Sequence, residues 1–254
     1  MSPLESKTAL AGRARRILAA LRKAYPDAHV PLNYMNPFEL LVGTILAAQC
    51  TDKKVNEITP GLFARYGSPA GFAGASLPEL ESEIRPTGFF RNKALALKES
   101  AQDLVEKHGG TVPDTMEALT ALRGVGRKTA SVVLGYAFGK PAIIVDTHFI
   151  RLSRRMGLTR EFEPGKIETD IAGLLPKTGW TSFSLLMTWH GRATCTARKP
   201  KCGACPVGRW CPAKATDGVI TWKVKTPGPD GRGAKEKGPR SKRPGPLKGR
   251  RTRS

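Results

Sequence analysis

Leu122-Arg123-Gly124-Val125-Gly126-Arg127-Lys128-Thr129 lies between a short helical stretch, about Thr115 to Ala121, and a longer one that begins near Arg127. Gly124 and Gly126 lack a Cβ, so this turn can take left-handed torsions. It can also bring its backbone N–H groups against an anion at the positive end of the next helix. Two helices joined in this way form a helix-hairpin-helix, which grips the nucleic-acid backbone without reading bases. A bare Gly-x-Gly turn between helices is weak evidence, since a tight connection has the same sequence, but Arg127 and Lys128 directly after it favour phosphate.

Outward from the turn, apolar residues recur at helical spacing almost everywhere, and alternation over five or more residues is hard to find. The fold class read from this is all-α. Asn36, Pro37 and Glu39 supply a cap, a first-turn proline and an N3 acid for a helix ending near Gln49, and Ser76 with Glu79 repeats the pattern. Gly109 and Gly110 end a helix from about Asn92, Gly139 with Pro141 ends the one from Arg127, and Gly157 ends one from about Thr147. Two more run from about Pro164 to Leu175 and from Trp180 to His190. Arg13 to Tyr25 is basic and amphipathic. A transit peptide would look similar, but Leu10, Ile17, Leu18, Leu21 and Tyr25 suit a packed helix.

The chain has 254 residues, 40 % of them apolar, which is enough for one large core or two smaller ones. The longest apolar run, Phe38 to Ala48, is too short to span a membrane and is broken by Glu39. Lys and Arg number 42 against 21 Asp and Glu, a net charge of +21 that calls for a polyanionic partner. The last 32 residues, 223–254, hold 12 of those cations, two acids, six Gly and five Pro. They read as a disordered basic tail suited to nonspecific phosphate binding. The remaining 222 residues still carry +11, so the folded part is itself basic.

Cys195, Cys202, Cys205 and Cys211 crowd within 17 positions, and Cys50 stands apart as a small core residue. Met1 to Leu10 lacks the apolar stretch of a signal peptide, so a disulfide framework is not expected and four clustered thiols suggest metal. Zinc and iron-sulfur clusters both accept four thiolates. Zinc sites usually present two Cys-x-x-Cys knuckles; here only Cys202 and Cys205 form one, which favours a cluster. Arg192, Arg198, Lys199, Lys201 and Arg209 surround these cysteines, partly to offset the cluster's charge and partly to face phosphate.

Two residues carry candidate chemistry. Lys128 sits just inside a helix, where the dipole and Arg127 disfavour the ammonium; partial burial would add to this. An ordinary lysine is neutral in only about 0.04 % of molecules at pH 7, so such a shift is what would make it a nucleophile able to form a Schiff base. Asp146 follows the apolar run Ile143-Ile144-Val145 at the point where a helix should begin. It reads as an N-cap that can also stabilise positive charge on a sugar ring.

Together, Gly124-Val125-Gly126-Arg127-Lys128-Thr129-Ala130, Val145-Asp146-Thr147-His148, Gln49-Cys50-Thr51-Asp52 and the four cysteines resemble the endonuclease III family of DNA glycosylases, over about residues 10 to 215. The resemblance implies a six-helix barrel domain over 30–140 and a [4Fe-4S] cluster domain formed by 1–29 plus 141–222, with the active site in a cleft between them. It makes Lys128 and Asp146 catalytic in removing damaged pyrimidines from duplex DNA and in cleaving 3′ to abasic sites. It makes Cys195, Cys202, Cys205 and Cys211 the cluster ligands. Gln49 would fill the gap left by the flipped nucleotide and Phe89 would be the intercalating wedge. Asp52, Gly124, Val125, Gly126, Arg127 and His148 would complete the DNA surface. Arg123 replaces the family's usual proline, and Cys50 replaces a small residue near the lesion pocket. A monomeric, cytoplasmic, prokaryotic enzyme is expected. An adenine-mismatch glycosylase would typically lack Lys128 and carry a further domain, whereas a non-catalytic iron-sulfur DNA-binding protein would not need Lys128 with Asp146.

Overall fold

Most helices begin where the sequence offers a capping side chain and several stop at a left-handed glycine. The computed structural model describes residues 5–218, so the basic stretch 223–254 lies outside the described residues. Eleven α-helices run in order among them: α1 Lys7–Ala24, α2 Pro37–Leu46, α3 Asp52–Tyr66, α4 Pro69–Gly74, α5 Leu77–Ile84, α6 Phe90–His108, α7 Met116–Ala121, α8 Arg127–Val132, α9 Thr147–Arg155, α10 Pro164–Ala172 and α11 Trp180–Ala193. The described residues contain no strand, so the chain is all-α. None of these helices is long and apolar enough to cross a membrane.

The caps are visible as hydrogen bonds. Asn36 Oδ1 accepts from the Glu39 N–H at 2.9 Å, and the Glu39 carboxylate reaches back to accept from Met35 N at 2.7 Å. Ser6, Thr51, Ser68, Thr115 and Asp146 cap α1, α3, α4, α7 and α9 in the same manner. Gly109, Gly139 and Gly157 stand at φ of 58, 63 and 63°, where a Cβ would clash with its own carbonyl.

Several boundaries differ from those expected of the sequence. Ser76 precedes α5 but makes no side-chain cap, and Glu79 is drawn away to Arg65. Helix α2 stops at Leu46 rather than near Gln49, because Gln49 turns left-handed at φ 53° and feeds the cap of α3. Helix α3 continues through Pro60, held by the buried Val55, Thr59 and Leu62. The stretch from Arg127 to Gly139 is not one α-helix: α8 opens into a π-helical turn, Val133–Ala137. There α11 comes so near that a Cβ on Gly135 would lie 2.8 Å from Thr181 Cγ2.

The buried side chains form two clusters within one compact unit. The first runs from Leu32 through α2–α8. The second joins Ala14, Ile17, Leu18 and Leu21 of α1 to α9–α11 and Val207. The Arg13–Tyr25 stretch is therefore a packed helix. Between the clusters runs the extended segment 140–146. Its side chains alternate, Ala142 and Ile144 entering the first cluster and Ile143 and Val145 the second. This segment ends at Asp146.

Candidate active site and metal centre

The hairpin is fixed from behind. Ser100 Oγ donates to the Arg123 carbonyl at 2.6 Å, and Arg123 itself pairs with Glu99 at 3.0 Å, tying the turn to α6. Val125 is buried. Gly124 has φ 74°, and a Cβ there would meet Ala96 Cβ at 2.7 Å, so glycine is required on both counts. Gly126 differs from the expectation. It is extended at φ −86° with open space where its Cβ would be, so it makes no left-handed turn.

Lys128 is the second residue of α8 and is exposed, which corrects the expectation of partial burial. It has no hydrogen bond or ion pair with a described residue. Its neighbour Arg127 is engaged instead, donating through Nε and Nη2 to both oxygens of Glu168, each at 2.8 Å.

Asp146 caps α9 through Oδ1, which accepts from the Phe149 N–H at 2.7 Å. Its other oxygen accepts from the Thr188 hydroxyl of α11 at 3.1 Å. Tyr136 stands near enough to feel this carboxylate, and burial first, then Asp146, pushes its phenol well above the usual range. His148 is the second residue of α9, with Nδ1 at 3.1 Å from Arg151 Nη2. Burial lowers its pKa, against the pull of Asp146.

Gln49 and Phe89 are both exposed and both left-handed, at φ 53 and 48°. Phe89 belongs to neither cluster and keeps 63 % of its surface free. Asp52, in the first turn of α3, accepts from Arg192 Nη2 at 2.7 Å, joining that helix to the end of α11. Cys50 packs half-buried against the first cluster.

Cys195, Cys202, Cys205 and Cys211 line a single cavity together with His190, Arg155 and Val207. Among the described residues no three His, Cys, Asp or Glu are placed to hold a single metal ion. A lone zinc, with bonds of about 2.3 Å, would draw its sulfurs to within roughly 4 Å of one another. Four thiols lining one cavity also supply the donor set that an iron-sulfur cluster takes. Burial raises the thiols of Cys202, Cys205 and Cys211, the last to about 11, so thiolates form there only against a strong Lewis acid. Polar groups already face the sulfurs: Arg155 Nη1 lies 3.4 Å from Cys195 Sγ, and His190 Nε2 lies 3.6 Å from Cys205 Sγ.

Comparison with known proteins agrees with this geometry. The profile of the HhH-GPD superfamily of base excision DNA repair proteins matches residues 42–177. That of the iron-sulfur binding domain of endonuclease III matches residues 195–211. Endonuclease III of Synechocystis sp. is 49% identical over 202 residues, covering 79% of this chain and 92% of the relative. The chain belongs to the endonuclease III family. Two solved structures of that family, a non-covalent endonuclease III–DNA complex and a trapped endonuclease III–DNA covalent intermediate, share 40% sequence identity with it. Each covers 81% of this chain and 97% of its own, with a TM-score of 0.78. As a member, the protein is a base excision repair DNA glycosylase and AP lyase, and it carries the family's [4Fe-4S] cluster.

Thr188 and Tyr136 could not be found from the sequence. Thr188 reaches Asp146 from 42 residues away, and neither residue belongs to a motif.

Proposed function

We propose that Lys128 and Asp146 perform the chemistry on oxidised pyrimidines of the thymine glycol type in duplex DNA, within a cleft between the two buried clusters. The observation that carries this reading is the double engagement of the Asp146 carboxylate. Both oxygens are held in place at the end of the extended segment that contributes to both clusters, while each keeps a lone pair free.

The neutral Lys128 amine attacks C1′ of the flipped nucleotide. The bond from C1′ to the base breaks, and the base leaves with the electron pair and takes up a proton. Asp146 stabilises the cationic sugar that develops and assists proton transfer. Opening of the sugar gives an imine between Lys128 and C1′. Loss of a C2′ proton then expels the 3′ phosphate, and water releases the lysine. Gln49 enters the vacated gap and Phe89 wedges the stack. Backbone N–H groups of Gly124, Gly126 and Arg127 hold a phosphate. Cys195, Cys202, Cys205 and Cys211 hold the cluster, which gives the basic loop around them its shape. The enzyme acts as a cytoplasmic monomer on damaged or abasic duplex.

Borohydride reduction of the imine tests the assignment. The cluster-loaded protein is expected to form a covalent complex with thymine glycol or abasic duplex, and Lys128→Ala is expected to form none. Trapping that persists in that variant would remove Lys128 as the nucleophile.

A further inference from the structure

Lys93 is the one lysine among the described residues that is buried, with 5 % of its surface exposed. It has no carboxylate partner there. Its ammonium donates to two main-chain carbonyls, those of Leu46 at 2.8 Å and Thr87 at 2.9 Å. Both acceptors occupy equivalent places. Leu46 is the last residue of α2, and Thr87 is the last residue of the 3-10 turn Arg85–Thr87. Carbonyls at the ends of helices have no partner within the helix and carry the negative end of its dipole, so one cation caps two elements at once.

The chain leaves both capped elements in a similar way. Three residues after Leu46 comes Gln49, and two residues after Thr87 comes Phe89. Apart from Asp217, at the edge of the described chain, these are the non-glycine residues with positive φ. Such conformations persist only where the surroundings over-determine them. Gly88, at φ 69°, precedes Phe89, so two consecutive left-handed residues turn that ring outward. The main chain of Lys93 completes the arrangement, its N–H donating to the Phe89 carbonyl at 3.1 Å.

An apolar side chain at position 93 would fill the same space on the buried face of α6 without the cost of desolvating an ammonium. The charge thus serves to hold two loops in register. We infer that Lys93 is a positioning residue that sets the separation of Gln49 from Phe89, so that gap filling and wedge insertion occur as one step when the nucleotide flips. This inference rests on the DNA-contacting roles proposed above for Gln49 and Phe89. Lys93 touches neither the DNA nor the reacting sugar.

The test uses full-length, cluster-loaded protein and a thymine glycol duplex with 2-aminopurine beside the lesion, whose fluorescence rises when the stack opens. Lys93→Met keeps the aliphatic stem and removes the ammonium. It is expected to slow the fluorescence rise and to lower single-turnover excision about tenfold, while Lys93→Arg recovers most of both. In a Phe89→Ala or Gln49→Ala background the same change should cost no more than about twofold, since its effect passes through those residues. A merely structural role would lower thermal stability yet leave the opening rate of the folded fraction unchanged, and its effect would multiply with the other variants. If Lys93→Met does not yield cluster-loaded protein, Lys93→Gln, whose amide reaches one carbonyl, carries the same comparison. Opening at the wild-type rate in a folded Lys93 variant, with Phe89→Ala and Gln49→Ala both slow, overturns the coupling alone. Wild-type opening in Phe89→Ala and Gln49→Ala overturns the roles of those residues, and the coupling with them.

Discussion

At the scale of single residues, Asp146 shows how a structural bond and the proposed catalytic charge share one side chain. Its Oδ1 closes the first turn of α9 while Thr188 fixes Oδ2, so the carboxylate cannot rotate away from its direction. The two roles separate in variants. Asn keeps an oxygen for the Phe149 N–H, and the Thr188 hydroxyl can accept from its amide. Asp146→Asn should therefore stay within about 0.5 kcal/mol of wild-type stability, whereas Asp146→Ala should lose about 1 kcal/mol with the cap. Both should lose about 100-fold or more in single-turnover excision, because the charge facing the sugar cation is gone. Thermal melts alongside excision rates check the separation. A drop in rate for Asp146→Asn matched by an equal drop in stability would mean that only the cap matters.

At the scale of elements, the hairpin contains two glycines that the sequence presents as equals and the fold uses differently. Gly124→Ala forces a left-handed alanine whose methyl would overlap Ala96, and it should destabilise the protein by about 2 kcal/mol or more. Gly126→Ala meets nothing within the protein and should cost less than about 1 kcal/mol. Yet its methyl stands where a phosphate would approach the N–H groups, so duplex affinity should fall about tenfold. Denaturant melts and binding titrations at one fixed salt concentration distinguish the two. Local signals of this kind are legible in the sequence: Asn36 and Asp146 as caps, and Gly109, Gly139 and Gly157 as stops, each act through atoms a few residues away. Helix α3 is not, since a proline such as Pro60 ordinarily signals a helix end, and only three of its residues are fully buried. The π-helical turn at Val133–Ala137 is equally hidden, because the close approach of Thr181, some 45 residues on, belongs to packing rather than to local preference. The site divides along the same line. Lys128, Asp146 and the four cysteines sit in motifs, while Thr188, Tyr136 and Lys93 gain meaning only from partners that folding brings near.

At the scale of the whole molecule, Arg13 joins the two ends of the described chain. Its guanidinium pairs with Glu5 at 2.8 Å and donates to the carbonyls of Met156 at 2.5 Å, Gly157 at 3.0 Å and Trp210 at 3.0 Å. Trp210 immediately precedes Cys211, so α1 supports the cluster loop directly. Arg13→Met leaves three carbonyls without this donor and should cost about 2 kcal/mol, or roughly 4–8 °C in thermal midpoint. Bleaching of the visible cluster absorbance in air should accelerate in step. An unchanged bleaching rate in a destabilised variant would show that α1 and the cluster loop are independent.

The placement of α1 also bears on the order in which the chain can be completed. Ala14, Ile17, Leu18 and Leu21 leave the ribosome early, but their partners Phe183, Leu186 and Met187 are made about 160 residues later. At ~5–20 residues per second, that is a wait on the order of 10–30 s, during which the first cluster can close and α1 cannot. Throughout that interval the nascent chain trails an amphipathic helix with its apolar stripe uncovered. The segment most exposed to chaperones, or to a neighbouring nascent copy, is thus one made long before the helix that covers it.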